Sequence, residues 1–77
     1  MNDVVNKKQE KFKELAEDRA NKAIDRIRSI GNLANGQNYV WQEEQVKKIL
    51  EVIREAVNEV ESKFYHAKKR TPEVFKL

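Results

Sequence analysis

Covalent chemistry needs a nucleophile, a base or a set of metal ligands, and this chain offers little of any. It contains no cysteine, so thiolate catalysis, disulfide bridging and Cys-based zinc binding are excluded. Ser29 and Ser62 are its only serines and His66 its only histidine. His66 falls five residues after Glu61, which matches neither a zinc-protease helix nor a Glu-x-x-His iron site. Gly31 and Gly36 have the glycine spacing of a phosphate loop, but Gln37-Asn38 stand where that loop needs Lys-Ser/Thr and no strand precedes them. The expectation is a non-catalytic protein with no metal, no cofactor and no small-molecule substrate.

Binding chemistry is better represented. Lys7, Lys8 and Lys11, with Lys13, crowd one end of the chain, and Lys63, Lys68, Lys69 and Arg70 crowd the other. Such groups can contact an anionic partner, although Glu10, Glu14 and Glu61 dilute the field and a solvated surface is the plainer reading. His66, beside Lys68 and Lys69, is read in the same way, as a surface side chain with a contact to phosphate or a pH sensor as the functional alternatives. Arg19 and Arg26 lie seven apart, the spacing of one helix edge. They suit snorkelling across an oligomer seam or recognition of an acidic partner or nucleic acid. Asn38, Tyr39, Val40 and Trp41 form an aromatic-rich stretch, readable as a cap on a helix turn or as a partner-binding knob.

Length sets the frame for these residues. Seventy-seven residues allow a single domain, and a chain this short without staples gains most from association. Sixteen basic and thirteen acidic side chains leave a formal charge of +3, a mild bias. No apolar run approaches the roughly 18 residues of a membrane span. The first residues lack the apolar core of a secretory signal. No membrane association is expected, and the protein is read as cytoplasmic.

The apolar residues then say what positions the rest. Ala16, Ala20, Ala23, Ile27, Ile30 and Ala34 step by four and three, the seam of a coiled-coil-like helix. Leu15 and Leu33 widen it on one side and Ile24 on the other, giving an apolar arc broader than a surface helix needs. Helix 1 is expected over about 4–35 and should close at Asn35-Gly36 with a left-handed residue. Gly31, inside the pattern, predicts a close helix contact in preference to early fraying. After a turn over about 36–42, Val46, Leu50, Ile53, Val57, Val60, Phe64 and Ala67 repeat the seam, flanked by Ile49 and Ala56. Helix 2 is expected over about 43–70. Glu43-Glu44 open it and Lys68 to Arg70 close it, in keeping with the helix dipole. Glu43–Lys47, Glu44–Lys48 and Glu59–Lys63 are spaced to pair. Thr71-Pro72 then stops the helix, and the tail 71–77 carries Val74, Phe75 and Leu77, which can dock back.

Laid antiparallel with facing positions summing to about 80, the seams pair small with large. Ala34 meets Val46, Ile30 meets Leu50, Ile27 meets Ile53, Ala23 meets Val57, Ala20 meets Val60 and Ala16 meets Phe64, with Phe12 near Ala67. The expected fold is therefore all-α, an antiparallel helical hairpin of two long helices. Two helices leave the edge of Leu15, Arg19, Ile24, Arg26 and Leu33 uncovered. That edge is the expected dimer or partner interface, and a homodimeric four-helix bundle is the economical way to cover it.

The segment Ile27-Arg28-Ser29-Ile30-Gly31-Asn32-Leu33-Ala34-Asn35, followed by Asn38-Tyr39 and Val46-Lys47-Lys48-Ile49, resembles a family of small uncharacterised bacterial proteins, many carried by mobile elements. The resemblance runs from Phe12-Lys13-Glu14-Leu15-Ala16-Glu17 to about Phe64. It implies a helical hairpin around an Ile-Arg-x-Ile/Leu-Gly-Asn core and an Asn-Tyr-x-Tyr-Thr turn. Here Trp41 replaces the second tyrosine and Gln42 the threonine, which removes the preferred helix N-cap. The resemblance brings no activity with it. The leading expectation is an interaction protein that dimerises and binds a macromolecular partner, as an accessory or inhibitory factor of a mobile element. The second is a nucleic-acid-associated regulator using the basic end of the hairpin, and the third a structural oligomer.

Overall fold

The structure, a computed structural model, describes residues 2–69. The described residues are mostly helical, with no strand among them: α1 spans Asn2–Gly31, a 3-10 turn follows at Asn32–Ala34, and α2 spans Glu43–Lys69. The chain divides into two units between Val40 and Trp41. Arg70, the stop at Thr71-Pro72 and the apolar tail over 71–77 lie outside the described residues.

In the first unit, α1 runs without a glycine or proline until Gly31 and is rich in Lys, Glu, Ala and Gln, residues that lose little freedom in a helix. Asp3 lies in its first turn and Arg28 in its last, each favourable to the helix dipole. The α-helix stops at Gly31, earlier than the sequence pattern suggests, and Asn32–Ala34 tighten into the 3-10 turn. Two local features weaken the last turn. Gly31 is a poor helix former, and Ser29 turns its hydroxyl back to donate to the Arg26 carbonyl at 2.6 Å, a bond that competes with helix geometry.

The expected left-handed closure does not occur. No described residue has a positive φ, and Asn35 is extended at φ −65° and ψ 104°. Asn35 makes the turn by hydrogen bonding instead. Its backbone carbonyl accepts from the N–H groups of Asn38 (3.2 Å) and Tyr39 (3.0 Å), and its side-chain oxygen accepts from the Gln37 N–H at 3.0 Å. An asparagine side chain that mimics a backbone acceptor replaces the glycine device. Among the described residues, a Cβ built at Gly31 meets nothing within 4 Å.

In the second unit, α2 opens at Glu43 with Glu43 and Glu44 in its first turn. Gln42 occupies the N-cap position without a serine or threonine hydroxyl. Its carbonyl accepts from the Gln45 (3.0 Å) and Val46 (3.3 Å) N–H groups, and its own N–H donates to the Gln45 side-chain oxygen at 2.9 Å. This is the returning half of a capping box, in which the third helical residue reaches back to the cap. Of the three ion pairs that spacing suggests in this helix, Glu43–Lys47 is closed at 3.5 Å. Asp18–Lys22 in α1 closes at 3.1 Å.

Candidate functional site

The seams are the most extended chemical feature of both units. No described side chain is buried. In α1, Leu15, Ala16 and Ile30 are half-buried, and in α2 Val46 and Ile53 are, as expected where neighbours three and four residues away on the same helix shield one another. The remaining α2 seam is more open: Leu50 is 37% exposed, Val60 54%, Val57 58% and Phe64 59%. These residues fall on one face of a helix about 40 Å long, so the result is a continuous apolar stripe.

The edge expected on α1 is only partly continuous. Leu15, Arg19, Ile24 and Arg26 all belong to the regular helix, with the two arginines exposed, but Ile24 falls half a turn round the helix from Leu15, across the seam. Leu33 is outside the regular helix. It sits in the 3-10 turn, where the helical phase that places it above Leu15 has changed, so it is not in line with the other edge residues.

At the turn, Asn38, Tyr39 and Trp41 are all exposed to some degree, Tyr39 and Trp41 each by about half, while Val40 is 99% exposed. The asparagine that anchors the turn is Asn35, which the sequence reading did not single out as a site residue. Its signal was present in the Asn-Gly pair, which was assigned to glycine geometry instead. Gln45 was missed for a similar reason, because a cap was sought at position 42 alone.

Lys7, Lys8 and Lys11 are exposed on the early turns of α1, and Lys63 and Lys68 on the late turns of α2. Lys69 is helical, and Arg70 lies outside the described residues. Near that end Ser62, Lys63, His66 and Ala67 line a shallow surface depression. His66 Nδ1 lies 2.9 Å from the Ser62 carbonyl. A carbonyl only accepts, so the contact is made with a proton on Nδ1. The Tyr65 and His66 rings meet edge to face, with centroids 5.9 Å apart. This arrangement orders the histidine on the helix surface.

A second shallow groove runs along α2, lined by Lys47, Leu50, Glu51, Arg54, Glu55 and Asn58. Sequence reasoning singled out Leu50 as core and the Glu43–Lys47 pair, and it did not identify the charged flank that these residues form beside the stripe. Among the described residues, no group of three or more His, Cys, Asp or Glu is placed to hold a metal ion, and no helix is long and apolar enough to cross a membrane. The geometry therefore offers surfaces for association: an apolar stripe, a charged flank, and an exposed turn. No protein-family model, curated protein or solved structure matches the chain.

Proposed function

We propose that this chain is a small, non-catalytic helical interaction protein. It closes as an antiparallel hairpin, pairs with a second copy to form a four-helix bundle, and presents the remaining surface to a macromolecular partner. The observation that carries this reading is the exposure of the α2 stripe, with Val57, Val60 and Phe64 all more than half exposed. A contiguous apolar surface of this kind gains by being covered, at roughly 25 cal/mol per Å² of area removed from water. The seam of α1 has the same period and, in the register given above, complementary side-chain sizes, which supports the hairpin. The breadth of its apolar arc supports the second copy.

The cytoplasmic setting follows from the sequence reading, and the role as an accessory or inhibitory factor of a mobile element rests on the family resemblance. The exposed lysines at 7, 8 and 11 favour a second reading, a regulator that contacts nucleic acid through the basic end.

Sedimentation equilibrium tests the first reading directly. A helical dimer at micromolar concentration is expected; a folded monomer there removes the bundle. Cysteines placed at 20 and 60 should crosslink within one chain, and a crosslink between 20 and 53 in their place overturns the hairpin register. For the second reading, affinity for a DNA or RNA duplex must fall steeply between low and moderate salt, and a flat response removes it.

A further inference from the structure

We propose that α2 pairs antiparallel with α2 of a second copy, its Lys47–Arg54–Glu61 flank lying against the same flank of its partner. This deepens the dimer reading and rests on it. Two properties of α2 carry the inference: the symmetry of its stripe, and the order of the charges beside that stripe.

The stripe is a palindrome in spacing, with steps of four, three, four, three and four from Val46 to Phe64. With positions that sum to about 110 facing each other in an antiparallel pair, Val46 meets Phe64 of the second copy, Leu50 meets Val60, and Ile53 meets Val57. Each layer occurs twice, small side chains oppose large ones at both ends, and every seam residue from Val46 to Phe64 is covered. The layers centre on position 55, where the two-fold axis of the dimer falls.

The charges beside the stripe select this arrangement over its rivals. Lys47, Arg54, Glu61 and Lys68 recur every seven residues on one flank, while Ile49, Ala56 and Lys63 occupy the other. In an antiparallel pair, like flanks meet. Lys47 then lies against Glu61 of the second copy, twice by symmetry, and Arg54 meets its own copy once at the axis. Glu51, which lines the same groove as Arg54, lies one turn away on each helix to offset that contact. Lys47 already pairs with Glu43 at 3.5 Å, but both side chains are largely exposed, so the pair leaves Lys47 able to bridge.

The alternatives fare worse on charge. A parallel pair brings Lys63 of each copy against Lys68 of the other and gains no opposite-charge contact on these flanks. Slipping the antiparallel pair by one heptad gains Arg54–Glu61 contacts, but sets Lys47 against Lys68 and leaves Val46 uncovered. Slipping it the other way sets Lys47 against Arg54. The more apolar flank, with Ile49 and Ala56, remains for the other helices of the bundle.

The absence of cysteine makes the test direct. Chains carrying Lys47→Cys are mixed with chains carrying Glu61→Cys and treated with a short bis-maleimide, and sedimentation is run on the same samples. The expected result is a mixed crosslink, with Arg54→Cys chains crosslinking to themselves and Lys47→Cys chains not. Self-crosslinking through position 47 indicates the parallel pair, and mixed crosslinking of 54 with 61 in place of 47 with 61 indicates the slipped register; either overturns this inference while leaving the dimer standing. A monomer in sedimentation overturns both. As an independent check, Lys47→Glu and Glu61→Lys should each weaken the dimer by on the order of tenfold, through two lost contacts and two new repulsions. The double exchange should restore most of the affinity, and a double exchange as weak as the single ones counts against the contact.

Discussion

Val57→Ala separates an associating stripe from a merely solvated one, because the two situations predict opposite signs. Val57 is 58% exposed in the single chain. The substitution removes two carbons, worth roughly 0.8 kcal/mol each on complete burial. Scaled by the exposed fraction, the loss on association is about 0.9 kcal/mol per copy, or about 1.9 kcal/mol for a symmetric dimer that uses the residue twice. That weakens the dimer about twentyfold. In a solvated helix the effect reverses, since alanine is the better helix former by roughly half a kcal/mol and nothing is lost from a contact. Sedimentation equilibrium over a concentration series, with circular dichroism at each concentration, reads both. The expected outcome is a rise in the dissociation constant with helicity retained at high concentration. An unchanged association constant together with higher helicity refutes the argument, since it shows that water remains beside Val57 in every state.

Four further substitutions probe local features. Gly31→Ala should stabilise the chain by roughly 0.5–1 kcal/mol in denaturant titration, because Gly31 is helical at φ −61° and a Cβ there meets nothing within 4 Å; a loss of stability reveals a helix contact made only on association. Gln45→Ala removes the acceptor of the Gln42 N–H and should cost about 0.5–1 kcal/mol, read as faster amide exchange in the first turn of α2, while Gln42→Asp should add about 1 kcal/mol by supplying the missing cap. Trp41→Ala distinguishes the two roles for the turn: a fall of several degrees in melting temperature indicates that Trp41 caps the bundle, and lost partner capture at an unchanged melting temperature indicates that it is part of a binding surface.

The helical class of the fold was legible because period and composition agree over long stretches. The stepping from Ala16 to Ala34 and from Val46 to Ala67 has no plausible strand reading, and Glu43-Glu44 mark the opening of α2 by simple electrostatics. The turn was less legible because two devices compete there. An Asn-Gly pair can close a helix through glycine's left-handed backbone or through the asparagine side chain, and the energies differ by little. Here the side chain of Asn35 wins, Gly36 keeps an ordinary backbone, and α1 ends sooner, taking Leu33 out of the helical phase. The cap of α2 was hidden in a different way. Glutamine at position 42 is a poor cap, but the carboxamide at position 45 reaches back to it, a partnership visible only when the two positions are read together.

The order of charges on α2 also bears on where a partner can bind. If Lys47, Arg54 and Glu61 are engaged across the dimer axis, and Ile49 and Ala56 face the other helices, α2 has little apolar surface left to offer. Binding of a further macromolecule then falls to α1 and the turn. On α1 the regular part of the edge offers Leu15, Arg19 and Arg26, two cations beside an apolar residue, a combination suited to an acidic and partly apolar surface, while Ile24 lies across the seam on the other side of the helix. The turn offers Val40, 99% exposed, between two half-exposed aromatic residues. Exposed aromatic and branched side chains on a short turn anchored by Asn35 cost little entropy to dock, whereas the lysines at the start of α1 are long, solvated and interspersed with Glu10 and Glu14. A partner that reads the turn should be insensitive to salt and lost with Tyr39 and Trp41; one that reads the basic end should show the reverse. The apolar character of the turn makes the first the stronger expectation for a protein partner.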